Sequence, residues 1–214
     1  MNKKYLVPLC SIGLLKLNSV ISSVLGEVTT SFVPFCEDAS TFIGWGRKSS
    51  SRTARRYANL SGGKTVQLED GFLRSWGIGQ HYPPLSLVVD EYGIYYDSTC
   101  PSTLEKLLGS DVDLLTDNPV EIARAKALVL EHRLSKYNHA PFLNPDQLPH
   151  RTSFPSGDSV IRRVLVIDQT YGDLSVKLGG SSASTFSAML SAAYTENPYA
   201  TIFVKTHPEV LSGR

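Results

Sequence analysis

Short apolar runs, each closed by a polar or glycine-rich turn, alternate along this chain with stretches of helical spacing. Tyr5 to Cys10 reads as a strand, and Leu17 to Leu25 as a short helix closed by Gly26. Thr41-Phe42-Ile43-Gly44-Trp45-Gly46 reads as a second strand ending in glycines, with Arg47-Lys48 and a serine-led helix from about Ser51 to Leu60 behind it. Thr65 to Leu68 is the next strand and opens into Glu69-Asp70-Gly71. Leu85 to Asp90 and Gly93 to Asp97 flank a tight turn at Glu91-Tyr92 and predict a hairpin. Ser102 and Glu105 form a capping box ahead of a short helix ending near Leu108-Gly109. Asn118-Pro119-Val120-Glu121 predicts a longer helix begun the same way, with Pro at its first position and a core-facing stripe of Ala123, Ala127, Leu130 and Leu134.

From His139 to Asp158 the chain is rich in Pro, Asn, Ser and Gly, which marks a linker. Arg163 to Ile167 then predicts a fully buried parallel strand. It delivers Asp168-Gln169-Thr170 to the carboxyl edge of a sheet, where open α/β sheets bind ligands. A helix with Phe186, Met189, Leu190 and Ala193 on one face, ended by Asn197-Pro198, leads to the strand Thr201 to Val204 and to Lys205-Thr206-His207-Pro208. The pattern is α/β: a Rossmann-like domain over residues 1–138, a linker over 139–160, and a second Rossmann-like domain over 161–214, truncated after its first βαβ unit. Two parallel strands alone are not a stable endpoint, so the chain reads as a piece of a longer protein.

Composition narrows the classes. With 214 residues, 42% hydrophobic and 19% charged, the chain has enough apolar material for buried cores. A formal net charge of +1 gives no reason to expect a nucleic-acid partner. Cys10, Cys36 and Cys100 form no CxxC and no Cys/His cluster, which suggests neither a disulfide framework nor a zinc site and fits a reducing cytoplasm. Lys3-Lys4 before Tyr5 to Leu15 has the layout of a short leader. Pro8 and Gly13 break it, Lys16 ends it and no Ala-x-Ala follows, so a strand-turn-helix start is the expectation. No apolar run reaches the roughly 20 residues of a spanning helix, so any membrane contact is expected to be peripheral.

Several residues carry candidate chemistry. Asp168 and His207 stand just past two strand ends of one βαβ unit, where they can meet. Glu69 and Asp70 are two carboxylates at a strand end before Gly71. Gly179-Gly180-Ser181-Ser182, at a helix start, is either an anion site of free amides or an ordinary turn. Arg47, Lys48, Arg52, Arg55 and Arg56 form the densest basic cluster, a pattern that usually marks a solvated helix face. Asp111-Val112-Asp113 fits the DxD pattern of metal-dependent transferases, but it lies far in sequence from the other motifs and is rejected as a metal site.

The segments GWGRKSSSRTARRYA, LEDGFLRSWGIG, PPLSLVVDEYGIYYDSTCPSTLEKLL, SKYNHAP, VLVIDQTYGDLSVKLGG and ENPYATIFVKTHPEVLSG, in this order, resemble the capsular polysaccharide biosynthesis and export family. Within it they are most similar to the first glycosyltransferase module of the capsule β-Kdo transferases. The resemblance runs from about Thr41 to Arg214; residues 1–40 match loosely. It implies a GT-B fold, two Rossmann-like domains with the active site in their cleft. It also implies retaining transfer of Kdo, an acidic eight-carbon sugar, from CMP-Kdo, with no metal and no other cofactor. The product is the poly-Kdo linker between capsule polysaccharide and lysophosphatidylglycerol. The implied partners are CMP-Kdo, a Kdo-terminated lysophosphatidylglycerol acceptor and other capsule assembly proteins. The implied location is the cytoplasmic side of the inner membrane, peripherally bound. The family's nucleotide-binding half beyond THPE lies outside this sequence, which leaves donor binding by this chain alone open.

Placed on these motifs, Asp168 is expected as the nucleophile at the anomeric carbon, against a plain strand-end cap. Glu69 is expected as the base for the acceptor hydroxyl, against a structural pair with Asp70. His207 and Lys205 would stabilise the departing phosphate or the sugar carboxylate. Gln169, Asp70, Arg47, Gly179 and Gly180 are further expected substrate contacts. Arg74 would grip a substrate carboxylate or simply pair with a neighbouring Asp. The competing reading is a non-catalytic capsule-export component that binds lipid-linked polysaccharide.

Overall fold

The computed structural model describes residues 4–31, 40–79, 81–149, 162–170, 172–207 and 210. The chain divides into two compact units, residues 1–140 and 141–214. The first holds β1 (Lys4–Pro8), α1 (Ile12–Leu15), α2 (Asn18–Leu25), β2 (Val28–Ser31), β3 (Ser40–Trp45), α3 (Ser49–Ser61), β4 (Lys64–Asp70), β5 (Leu87–Asp90), α4 (Thr103–Leu108) and α5 (Pro119–Glu131). Its sheet has the order β2-β1-β3-β4-β5, with the first four strands parallel and β5 antiparallel to β4.

Apolar residues alternate across this sheet, and each face builds its own core. Val7, Ile43, Val66 and Leu68 meet Leu14 and Ile21 of α1 and α2 on one face. Leu6 and Phe42 meet Ala54 and Ala58 of α3 on the other. Burying such side chains contributes roughly 1.5–3 kcal/mol each for the larger ones, which is what fixes the register of a two-faced sheet. Gly44 lets α3 close on β3, because a Cβ there would overlap the backbone and hydroxyl of Ser51.

The second unit is one crossover: β6 (Arg163–Ile167), α6 (Leu174–Leu178), α7 (Ala183–Glu196) and β7 (Thr201–Lys205), with β6 and β7 parallel. On α7, Ala193 is buried and Phe186 and Leu190 are half-buried, so the expected face is the one that packs; Met189, at its margin, is exposed.

Five local expectations are corrected. Residues 93–97 form turns rather than a second hairpin strand, and β5 pairs with β4 instead. The strand β2 was not expected, since Val28-Thr29-Thr30-Ser31 is short and mostly polar. Helix α5 packs through Ile122 and Val129, both half-buried, and turns the expected stripe outward, with Leu130 77% exposed. Asn118 makes no side-chain cap there, although Pro119 does open the helix. Finally, β6 is buried on one face only: Val166 is covered while Leu165 and Ile167 are 57% and 49% exposed. Of the expected linker, 139–149 is irregular with one short turn of helix at Pro145–Gln147, and 150–160 lies outside the described residues, as do Cys36, Tyr171 and Pro208.

Candidate active site

In the first unit the carboxyl ends of β3 and β4 converge on Glu69. The strand β4 runs through both acidic residues, with Glu69 opposite Val88 and Asp70 opposite Leu87. Consecutive strand residues point to opposite faces, so the two carboxylates part. Glu69 Oε1 accepts from Trp45 Nε1 at 2.9 Å and from the Asp70 N–H at 3.2 Å, and Oε2 accepts from the Tyr96 hydroxyl at 3.4 Å. Burial pushes the Glu69 carboxyl above its ordinary range, and the amide of Asp70, the Trp45 N–H and the charge of Lys48 oppose the rise without cancelling it. Tyr96 is pushed up to about 12, first by burial and then by the nearby Glu69 charge, so it stays a neutral donor. The arrangement is a half-buried carboxylate poised to take a proton, held by groups that are themselves fixed.

Gly46 makes the approach possible. Its φ is +44°, and a Cβ there would overlap the Tyr96 hydroxyl and Glu69 Oε2. The following N–H, of Arg47, donates to Tyr96 Oη at 3.0 Å. The Arg47 guanidinium ties the segment after β5 to the sheet, through Nε to Asp97 Oδ2 at 2.6 Å and Nη2 to Cys100 Sγ at 2.8 Å. Asp97 is only 5% exposed; burial would raise its pKa, yet the bonds from Thr99 and Arg47 outweigh that and hold it below the usual range.

Arg74 and Asp70 satisfy each other. Arg74 Nε meets Asp70 Oδ2 at 2.7 Å, and Nη1 donates to Ser75 Oγ and to the Tyr82 carbonyl. The amides of Arg74 and Ser75 both donate to the Lys136 carbonyl, and Asn138 bonds the backbone at Ser75 and Trp76. The two motifs LEDGFLRSWGIG and SKYNHAP are thus one structural knot. Of the two readings of Arg74, the structure realises the pairing with a neighbouring Asp.

In the second unit, Asp168, Gln169 and Lys205 stand at the carboxyl ends of β6 and β7, where Ile167 is in register with Lys205. The Asp168 N–H donates to the Lys205 carbonyl at 3.0 Å, and its Oδ1 accepts from the Gln169 N–H at 2.8 Å. His207 Nδ1 lies 2.7 Å from Thr170 Oγ1, a partner that sequence spacing did not single out. The expected free amides at Gly179 and Gly180 are corrected: they donate to Ser175 and Lys177 carbonyls, and Ser181 N to Val176 O. With Gly180 at φ +77°, this is a Schellman closure of α6, which uses the very donors an anion would need. Asp173 instead caps α6 through Ser175 N, and Ser182 caps α7.

Among the described residues no group of His, Cys, Asp and Glu is placed to hold a metal, and Asp113 of the DxD bonds its own turn, at Leu115 N and Thr116 Oγ1. No described helix is long and apolar enough to cross a membrane. Trp45, Tyr96 and Asp97 were missed as site residues. The YYD of GIYYDST was the available signal, but nothing in its spacing points to Glu69, 27 positions away.

The sequence model of the family described as "Capsule polysaccharide biosynthesis protein" matches residues 40–214. The chain belongs to this family. It is 45% identical over 177 residues to the capsule polysaccharide modification protein LipA of Neisseria meningitidis serogroup A, covering 82% of this chain and 24% of that protein. It is 39% identical over 191 residues to the lipopolysaccharide-processing protein LpsZ of Rhizobium meliloti, covering 87% of this chain and 40% of that protein. The chain therefore spans about a quarter of the length of LipA. Among solved structures, KpsC of Thermosulfurimonas dismutans, described as a beta Kdo 2,4 transferase, superposes with a TM-score of 0.77 at 39% identity, over 100% of this chain and 63% of that one. The mixed α/β fold with its parallel sheet matches the fold of that glycosyltransferase.

Proposed function

We propose that this chain is part of a retaining β-Kdo transferase of the GT-B type that takes Kdo from CMP-Kdo and adds it to the poly-Kdo linker of a capsule polysaccharide. What carries the reading is the superposition on the beta Kdo 2,4 transferase over the whole of this chain at 39% identity. The half-buried Glu69, its pKa raised by desolvation, supports it, because a general base works best with a pKa nearer the operating pH.

In this reading Asp168 attacks the anomeric carbon as the bond to CMP breaks, giving a glycosyl ester, while Lys205 and His207 offset the charge on the departing phosphate. An acceptor hydroxyl then gives its proton to Glu69 and displaces Asp168, so two inversions leave net retention. No metal or further cofactor enters. The acceptor is a Kdo-terminated lysophosphatidylglycerol, which brings the enzyme to the inner membrane from the cytoplasm among other capsule assembly proteins.

The test uses the full-length protein with CMP-Kdo and a Kdo-glycoside acceptor. Mass spectrometry of a quenched reaction is expected to find a Kdo adduct on the peptide containing Asp168, and Asp168→Asn to show neither adduct nor product. An adduct on another peptide overturns the nucleophile. Undiminished product from Asp168→Asn also overturns the nucleophile, whereas no product from the unaltered protein favours a polysaccharide-binding component over an enzyme.

A further inference from the structure

Beside the Glu69 cradle, two cavities open on the α3 side of the first sheet. One, of about 480 Å³, is lined by Arg47, Arg55, Thr65, Gln67, Tyr92 and Thr99 among others. The next, of about 510 Å³, shares Arg55, Thr65 and Tyr92 with it and continues to Asn59 and Lys64. Shared walls make them one channel, and each part alone is the size of an ordinary small-ligand site, about 300–1,000 Å³.

The channel is aligned by β4. Thr65, Gln67 and Glu69 share one face of that strand, spaced by roughly 7 Å per step, so the carboxylate stands at the head of a row of polar groups. Gln67 is only 4% exposed, and its one side-chain hydrogen bond among the described residues is from Ser51 Oγ, at 2.5 Å. Whichever way the amide is turned, its other end has no side-chain partner among the described residues, and Gln67 lines the cavity, so that end is available to a ligand there. The Thr65 hydroxyl makes no side-chain bond among the described residues. Among the described residues the Arg55 guanidinium touches only the Ser51 carbonyl, at a long 3.4 Å, and no carboxylate. Tyr92, 60% exposed with Lys106 Nζ 3.2 Å from its ring centroid, adds an aromatic wall.

An amide, a hydroxyl, an unpaired guanidinium and an aromatic face in sequence match a carboxylated sugar chain. Ring C–H faces lie on the aromatic, hydroxyls meet the amide and threonine, and each carboxylate suits a planar guanidinium. We propose that the channel holds the acidic saccharide chain behind the sugar that receives the new residue, with the receiving sugar at Glu69 and its predecessors running past Gln67 and Arg55 toward Lys64. The proposal rests on the transferase reading for the identity of the sugar, but not for the channel.

Calorimetric titration of the protein with Kdo glycosides of one, two and three units separates the two. Affinity is expected to rise by about tenfold or more from one unit to three, as a charge-assisted bond is added. Arg55→Ala and Thr65→Val should each blunt that rise while leaving the monosaccharide affinity unchanged, and Arg55→Lys should recover part of it. A length dependence untouched by both variants overturns the channel and leaves the transferase reading intact. No binding of any acidic oligosaccharide overturns it too. If an oligosaccharide of hexuronic acid binds in an Arg55-dependent way and Kdo chains do not, the channel stands and the Kdo reading falls.

Discussion

The two units both bring polar residues to the carboxyl ends of parallel strands, but they hold them by different means. Glu69 is gripped by groups from three separate segments, Trp45 on β3, its own strand, and Tyr96 beyond β5. Those segments rest on two cores with many fully buried side chains. Asp168 is held by its own neighbour Gln169 and by a β7 carbonyl, and the sheet beneath it is two strands wide with one apolar face exposed. A group fixed from several sides can be kept in an unfavourable charge state, because the scaffold does not yield. A group fixed locally depends on sequence-near contacts. The first candidate site is therefore held by long-range contacts and the second by local ones.

The widest test of this contrast is to neutralise each carboxylate in the full-length protein. Asp168→Asn is expected to lower transfer by about 10⁴-fold or more, and Glu69→Gln by about 10²–10⁴-fold. Stability should move differently. The folded state raises the pKa of Glu69, so it binds that proton more tightly than the unfolded chain does. The stabilisation is full below the unfolded pKa and is lost as pH rises through the folded one. Above the folded pKa Glu69→Gln removes a desolvated charge, so the thermal midpoint there should hold or rise, by about 2–4 °C for each kcal/mol gained. Asp168→Asn keeps its acceptor for Gln169 N and should change stability by less than about 0.5 kcal/mol. A fall in midpoint with Glu69→Gln would break the comparison.

Glycines sharpen it next. Gly46 and Gly172 both have positive φ, +44° and +79°. A Cβ at Gly46 would strike Tyr96 and Glu69, whereas nothing lies within 4 Å of one at Gly172. Denaturant unfolding should show Gly46→Ala costing about 2–4 kcal/mol, backbone strain plus overpacking, and Gly172→Ala about 1–2 kcal/mol from strain alone. Equal costs would mean that the Glu69 cradle gives way more readily than its contacts imply.

The sequence reading succeeded where signals are local and lost ground where they are not. The capping box of Ser102 and Glu105, the stops at Gly26 and Asn197 and the strands around Ile43 and Val166 all involve residues within a few positions of each other. Glu69 was singled out as a carboxylate near a strand end, but its cradle was not legible, since Trp45 and Tyr96 stand 24 and 27 positions away. The stripe of α5 failed for a related reason. Ala123, Ala127 and Leu130 have core spacing, yet which side of a helix is covered depends on what packs there, and Ile122 and Val129 won. The glycines at 179 and 180 carry a signal that fits both a phosphate turn and a helix stop, and only the carbonyls they meet decide.

A smaller effect reports on the grip itself. The Trp45 N–H holds Glu69 toward its charged form, so Trp45→Phe should raise that pKa further and move the acid limb of the pH–rate profile to higher pH. At a pH on the acid side of the limb the variant should be about tenfold slower, the size expected for one bond to a charged group. At high pH the rates should converge. A uniform loss at all pH values would instead assign Trp45 to packing.

The smallest contrast lies in the helix caps, and it bears on the same lesson without touching any candidate catalytic group. Ser102 is fully buried and closes α4 in both directions: its Oγ accepts from Glu105 N at 3.1 Å, and its N–H donates to Glu105 Oε2 at 2.7 Å. The next residue, Thr103, is fastened through its N–H and hydroxyl to the buried carboxylate of Asp90 at the end of β5. Ser182 is exposed and accepts from Thr185 N at 3.4 Å, a long bond that water can replace. Ser102→Ala takes the acceptor from the Glu105 amide and leaves a gap at a fully buried position, and should cost about 1–2 kcal/mol, whereas Ser182→Ala should cost about 0.5 kcal/mol. Chemical denaturation of the two variants measures the difference. If Ser182→Ala proved the costlier, the second unit would be held more firmly than its exposed sheet implies, and the division of the molecule into a rigid site and a locally supported one would have to be redrawn.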